Sequence, residues 1–360
     1  VTSLVIGGGL AGSAVAIRLA RAGREVVLLE REAGAHDKVC GEFLSFEAID
    51  SLRALDVEPL DLGAVAIQSL CVCIGARRSR TALPFAALSL SRRALDEALL
   101  ERAAAAGATV RRGVRATGAG RRGEGWVVHT AGGDMAASEV YLATGKHDLK
   151  GAKRPPGRQN DLVGFKQHLR LAEPLGPLVE LHLFGGGYAG LEPVEDGVAN
   201  LCLVVRKDVL AATGGDWEAL LTSILKQCPF LKARLDGAAS LHPRPLAIAA
   251  IPYGYVCKQS DGLWRLGDQA AVIPSLAGEG MAIALRSAAL AAQFALAGRT
   301  PDAFQHVLAA ELQAQVGRAA LVSRIIVTPW GKALAGAALA AAPGLAAGIA
   351  RGTRLKGGGS

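Results

Sequence analysis

The sequence predicts an α/β protein: a Rossmann-type dinucleotide-binding domain built from discontinuous segments, a second domain on an antiparallel sheet, and C-terminal helices. Three observations predict it. A short apolar run, Leu4–Ile6, leads straight into a glycine-rich turn and a helical pattern over residues 11–22. A second apolar run, Val26–Leu29, then ends in the acid Glu30. Further on, strand-like runs occupy residues 161–206, and two long helical patterns begin near residues 281 and 301. Strand, glycine turn, helix and strand in that order form a unit that grips a dinucleotide.

Each residue of the turn Gly7-Gly8-Gly9-Leu10-Ala11-Gly12 has a task. Gly7 allows the tight turn, Gly9 lets the backbone approach a pyrophosphate, and Gly12 lets helix and strand pack closely. The helix N-terminus at Leu10 and Ala11 offers unpaired N–H groups and a partial positive charge to the phosphates. Glu30, at the end of the next strand with Arg31 beside it, is placed to accept hydrogen bonds from ribose hydroxyls.

A chain of 360 residues that is 51% hydrophobic can bury a large core, and its length suggests about two domains. The net charge of +8 sits largely in the tail: no acid follows Glu311, while Arg318, Arg324, Lys332, Arg351, Arg354 and Lys356 do. With aromatics at only 4%, a nucleic-acid groove is not expected. The six cysteines (Cys40, Cys71, Cys73, Cys202, Cys228 and Cys257) include no CxxC pair and no neighbouring histidine. Cys71 and Cys73 share a strand face in poor geometry for zinc or a disulfide, so a reduced, cytoplasmic protein is expected, with no metal and no signal peptide.

The rest of the chain reads in order. Residues 46–55 look helical, and residues 65–85 give strand runs around a basic cluster, Arg77, Arg78 and Arg80, read as a turn. Residues 91–106 form an amphipathic helix with Ser91 as its N-cap and Gly107 as its stop. Hairpin-like strands follow to the buried run Val140–Ala143, which ends at Thr144-Gly145. The Pro- and Gly-rich segment 151–160 is a crossover. A helix over Trp217–Gln227 and a strand over Ala247–Tyr253 precede Leu263–Asp268, a strand ending in a Gly-Asp turn. Residues 333–350 are rich in Ala and Gly, too weakly apolar for a membrane span.

Four motifs together resemble one family, the FAD-dependent oxidoreductases of the p-hydroxybenzoate hydroxylase fold, and within it the geranylgeranyl-reductase-like branch. They are the N-terminal GxGxxG with Glu30; Arg92 with Leu95-Asp96, similar to the family's R-x-x-L-D; Gly267-Asp268, followed by Pro274 and Gly278-Glu279-Gly280; and Lys38-Val39-Cys40-Gly41, similar to the K-x-C-G of polyprenyl reductases. The resemblance implies FAD, held tightly without a covalent bond. It implies cofactor contacts from Lys38, Cys40, Gly41, Arg92, Thr144, Gly145, Gly267, Asp268, Gly278, Glu279, Gly280 and Met281, besides the residues of the first turn. A helix starting near Met281 would aim its positive end at the flavin. On this basis residues 1–64, 86–160 and 257–300 form the FAD domain, 65–85 and 161–256 the substrate domain, and 301–356 a helical segment; residues 357–360 read as an added linker.

Two stretches depart from the family. Lys146-His147-Asp148 replaces the D-G pair of the hydroxylases, and Tyr188-Ala189-Gly190-Leu191-Glu192-Pro193 keeps the Tyr and Pro of the reductases' Y-x-W-x-F-P but loses its large apolar groups. The catalytic candidates are Cys40, Glu279 and Tyr188. Cys40 either stands beside the flavin or fills a turn; Glu279 either orients substrate or complements a helix dipole. Lys146 and His147 either contact phosphate or are loop charges. His168 and His182 are expected on the surface of substrate-sheet strands, whereas Tyr188 and Tyr253 are expected to line the substrate cavity.

The expected activity is oxidation–reduction of a hydrophobic small molecule, with NADPH or NADH as a transient donor because no second GxGxxG appears. Hydroxylation by a monooxygenase is slightly preferred, since the reductase substrate motif is altered; C=C reduction is the alternative, for which Cys40 speaks. A flavin-binding redox carrier without its own substrate is the third reading. Arg77, Arg78 and Arg80 suit either a 2′-phosphate or an exposed turn. The basic tail suits either an anionic membrane surface or a packed terminal helix with a solvated end.

Overall fold

In the computed structural model, which describes residues 2–328 and 330–335, the chain opens as a parallel βαβ unit. Strand β1 (Thr2–Ile6) leads through the glycine turn into helix α1 (Leu10–Arg21), and β2 (Glu25–Glu30) pairs parallel to β1 with Leu4 opposite Val27. Short strand β3 (Phe43–Leu44) and helix α2 (Phe46–Arg53) follow, then a long antiparallel ribbon of β4 (Val65–Ile74) and β5 (Arg77–Ser89). Helix α3 (Arg92–Ala105) returns the chain to β6 (Thr109–Arg112), which pairs with β2. The Ser91 hydroxyl caps α3 by accepting from Ala94 N–H at 3.1 Å. Strands β7 (Ala116–Arg122), β8 (Gly125–Thr130) and β9 (Gly133–Ala137) make a small antiparallel sheet, and β10 (Glu139–Leu142) joins the free side of β1.

The second half builds the other sheet. Strands β11 (Leu162–Arg170), β12 (Leu178–Phe184), β13 (Gly187–Pro193) and β14 (Ala199–Arg206) are followed by helices α4 (Lys207–Ala212), α5 (Trp217–Gln227) and α6 (Pro229–Leu235). Edge strands β15 (Ala239–Ser240) and β16 (Leu246–Ala249) pair with β11. Strand β17 (Trp264–Arg265) then completes the parallel sheet, in the order β17-β10-β1-β2-β6. Helices α7 (Gly280–Leu296) and α8 (Pro301–Ile326) follow, and the last described residues, 330–335, are helical again.

Burial explains this layering. Leu4, Val5, Leu28, Val140 and Leu142 are fully buried, as a parallel sheet covered on both faces requires. Helix α7 is apolar on almost every side because it packs against α1, α2 and α8 at once. In the larger sheet, side chains alternate with period two. Phe165, Leu203 and Val205 face the cluster that α5 and α6 cover with Leu220, Ile224 and Leu231. Gly164 and Val204, on the opposite parity, border a cleft between the two sheets.

Several elements differ from the sequence expectation. Arg77, Arg78 and Arg80 belong to β5 and not to a turn, because the reversal is confined to Gly75-Ala76, with Gly75 at φ +57°. Strand β5 also runs on to Ser89, past residue 85. The strand expected over Ala247–Tyr253 is only β16, and helices α4 and α6 flank the expected α5. One pair in the otherwise antiparallel sheet is parallel: β12 lies beside β4, with His182 opposite Cys73. No described helix is long and apolar enough to cross a membrane. The basic tail with Arg351, Arg354 and Lys356, and residues 336–350 of the Ala-rich stretch, lie outside the described residues.

Candidate active site

A cleft of about 500 Å³ runs from the first glycine turn, past Thr144–Asp148 and the Gly267-Asp268 turn, to the face of the large sheet. At its first end the backbone is packed to the limit. A Cβ on Gly7, which sits at φ +107°, would stand 2.5 Å from Ala143 O, and one on Gly12 only 1.8 Å from Gly7 O. Gly12 is therefore a packing residue behind the cleft, while Gly7, Gly9, Leu10 and Ala11 line it. Glu30 is held firmly, its Oε2 accepting from Gly8 N–H at 2.8 Å and its Oε1 from Glu32 N–H at 3.0 Å.

The N-terminus of α1 fits a pyrophosphate. Gly9 is its N-cap and carries no side-chain cap, so the first-turn N–H groups face the cleft without a side-chain acceptor. Two cations stand over it: from the position of a Gly9 Cβ, Arg92 Nη2 is 3.3 Å away and Lys38 Nζ 3.5 Å. Both are anchored by Asp96, with Arg92 Nη2 2.9 Å from each carboxylate oxygen and Lys38 Nζ 2.7 Å from Oδ2. Burial works against the charge on Arg92, but Asp96 and the neighbouring Cys40 together more than offset it and hold the guanidinium above its ordinary pKa.

The middle of the cleft is a braced turn. Thr144 Oγ1 donates to His147 O at 2.6 Å, and Gln269 Nε2 donates to Gly145 O at 2.8 Å and His147 O at 3.0 Å. Arg154 ties the turn to the Gly-Asp segment, donating to Lys146 O at 2.8 Å and to Asp268 O at 2.7 Å. Lys146 Nζ donates to Val39 O at 2.9 Å, while the His147 ring lies 3.4 Å from Arg31 Nη2. Burial, then the positive charges of Arg31 and Lys146, keep His147 below its ordinary pKa.

Beyond this the cleft widens into an apolar chamber. The first turn of α7 opens onto it through Gly280 and Met281, with Gly278 packed on Phe43, and β16 and the Ile251–Tyr253 segment form the opposite wall. Cys40 and Gly41 line it, and the Cys40 thiol lies beside Arg92 and accepts from Glu42 N–H at 3.4 Å. Cys202, also on the wall, has its thiol pushed up to about 12 by burial and by the neighbouring Cys40.

Of the expected site residues, Glu279 and Tyr188 do not border the cleft. Glu279 is buried at the N-cap of α7. The Tyr188 hydroxyl is 2.7 Å from Ser275 Oγ and accepts from Leu276 N–H at 3.1 Å, so it supports the wall from behind; Tyr253 does line the cleft. His168 and His182 are not on the surface as expected. His168 is buried against Glu42 on the enclosed cleft side of the sheet, and His182 is buried on the opposite face, which the helices cover, against Glu180, itself bound by Arg234 of α6.

Glu42, which lines the cleft, and Lys166, buried against it, are residues that the sequence did not single out. Glu42 is fully buried with φ +63°, a backbone state that is costly for a non-glycine residue. It accepts from Arg92 N–H at 2.7 Å, from the buried Lys166 ammonium and from the His168 ring. No local signal marks Lys166 and His168, which lie more than a hundred residues away from Glu42 in β11.

The family of NAD(P)-binding Rossmann-like domains matches residues 5–69. The chain is 25% identical over 328 residues to the menaquinone reductase of Mycolicibacterium smegmatis, covering 83% of this chain and 77% of that protein. It is 28% identical over 325 residues to digeranylgeranylglycerophospholipid reductase 1 of Methanothermobacter thermautotrophicus, covering 82% and 76%. Among solved structures, the myxobacterial chondrochloren halogenase CndH superposes with a TM-score of 0.78 at 20% identity, over 97% of this chain and 90% of that one. The flavin-dependent brominase Bmp2 gives 0.78 at 18% identity, over 99% and 95%. These two share the fold.

Cleft, fold and relatives together place the chain among the FAD-dependent oxidoreductases of the p-hydroxybenzoate-hydroxylase, geranylgeranyl-reductase-like fold. FAD suits the residues present: the uncapped α1 N-terminus with Arg92 and Lys38 would take the pyrophosphate, Glu30 the ribose end, and the α7 N-terminus the far end.

Proposed function

We propose that the chain reduces a carbon–carbon double bond in a long hydrophobic substrate, with NAD(P)H as the transient electron donor. The observation that carries this is the Cys40 thiol, set on the wall beside Arg92 where the cofactor-binding arm opens into the apolar chamber. FAD bound along the cleft supplies the two-electron chemistry. The chain's own residues do the rest. Arg92, Lys38 and the α1 N-terminus fix the cofactor; Phe43, Val204, Ile248 and Ile251 hold the substrate and keep water out; and Cys40 Sγ–H delivers a proton to the reacting carbon. Arg31, Arg115 and Lys146 at the cleft supply charges for the donor's phosphates. The two curated relatives, named as reductases, support the same reading.

Hydroxylation would use the same cofactor and chamber. What favours it in the sequence is the altered stretch Tyr188–Pro193, yet none of that stretch lines the cleft. Its changes therefore leave the chamber's wall as it is, and the preference passes to reduction. A carrier without a substrate is disfavoured by the apolar chamber itself. Oxygen separates the two enzymatic readings: a reductase forms product from polyprenyl substrate and NAD(P)H under argon. Product that appears only in air, with oxygen incorporated, would assign the chain to the monooxygenases.

A further inference from the structure

Asp37, His168 and His242 come from three distant segments and converge at the edge of the large sheet. Asp37 Oδ2 is 3.0 Å from His242 Nε2, and Asp37 Oδ1 is 3.6 Å from His168 Nδ1. One ligand atom from each residue falls within 4.8 Å of the others. The His168 ring is fixed from behind, its Nε2 standing 2.8 Å from Glu42 Oε2. Since Glu42 is already an acceptor for Arg92 N–H and the Lys166 ammonium, His168 Nε2 is the nitrogen that carries the proton. In the neutral ring Nδ1 then presents a lone pair to Asp37.

Asp37 Oδ1 has no hydrogen-bond donor, although its side chain is only 8% exposed. The nearest cation, Lys166 Nζ, is 3.8 Å from it and is directed at Glu42. The unsatisfied Asp37 Oδ1 thus faces the Nδ1 lone pair of His168. A buried charge is costly unless it is paired or ligates a metal.

We propose that Asp37, His168 and His242 form a binding site for a divalent transition metal of the zinc class. Two imidazole nitrogens and one carboxylate are a zinc-type donor set, whereas magnesium and calcium call for oxygen donors throughout. The Glu42–His168 hydrogen bond is the carboxylate–histidine pairing that orients a ligating ring. His242, 35% exposed, leaves the site an open side for a fourth ligand. A bound ion would tie the segment that carries Lys38 and Cys40 to β11 and to the loop before β16. The site does not depend on which reaction the cleft performs.

The test uses the full chain with FAD bound, treated with a chelator and desalted, then titrated with zinc chloride by calorimetry and with cobalt(II) by visible ligand-field absorption. One equivalent per chain is expected, with the flavin spectrum reporting that the protein stays folded. His242→Ala, at a partly exposed position, should lose that binding while keeping its flavin. Glu42→Gln should weaken binding about 10–100-fold. Absence of saturable binding at one equivalent would overturn the proposal. So would a His242→Ala or Asp37→Asn variant that binds like the parent, or a His168 ring whose NMR signals show it doubly protonated at alkaline pH and unmoved by zinc.

Discussion

Arg92 and Asp96, one turn apart at the start of α3, form a fork in which Nε and Nη2 of the guanidinium both reach the carboxylate, at 3.0 and 2.9 Å. The fork holds Arg92 over the uncapped N-terminus of α1, and Lys38 shares the same carboxylate. The charge that would face a cofactor pyrophosphate is thus set by a buried acid that does not itself line the cleft. Removing Arg92 deletes a charge-assisted contact worth about 1.5–3 kcal/mol. Arg92→Ala should therefore weaken FAD binding about tenfold to a hundredfold, read by flavin fluorescence on titration of the apoprotein.

Gly12→Ala should destabilise the protein by about 3 kcal/mol or more, the upper end for overpacking, because the new Cβ would press on Gly7 O. Gly120→Ala is the matched control: nothing lies within 4 Å of its Cβ, and a change within about 0.5 kcal/mol is expected. Urea unfolding of both variants beside the parent checks this.

Those glycines show what was legible in the sequence. A Rossmann turn is local, so its spacing alone placed Gly7, Gly9, Gly12 and Glu30, and the Gly267-Asp268 turn and α7 fell where their motifs put them. Residues assembled by long-range pairing were not legible. Glu42 meets Lys166 and His168 only after β11 comes to rest across the segment before β3. Tyr188 was misjudged for the same reason: its strand position was right, but Ser275 stands between its hydroxyl and the cleft. Period-two alternation gives two faces for His168 and His182, and only the tertiary fold shows that both are enclosed.

Lys166 is almost fully buried and its charge is answered by Glu42. Breaking a buried pair on one side leaves the other charge stranded, at a cost of about 3–5 kcal/mol. Lys166→Met should lose stability on that scale in a denaturant melt, although its side chain does not line the cleft.

His147 contributes a pH dependence of known sign. Its folded pKa is lowered by burial, then by Arg31 and Lys146, so the unfolded chain takes up a proton more readily. Stability is then full above the ordinary histidine pKa and falls with pH down to the lowered folded value. His147→Gln should flatten that part of the profile, measured as melting temperature against pH for variant and parent.

If Cys40 is the proton source, Cys40→Ala should lower kcat by about a hundredfold or more while FAD affinity and the flavin spectrum stay close to the parent's. A kcat that does not move would remove Cys40 from the chemistry.

The most direct measurement is product analysis under argon. The FAD-loaded protein is mixed with NADPH or NADH and a polyprenyl-chain lipid, and the lipid is examined by mass spectrometry. A gain of two hydrogens at a double bond without dioxygen is expected. A lipid that is unchanged under argon and gains an oxygen atom in air would contradict it.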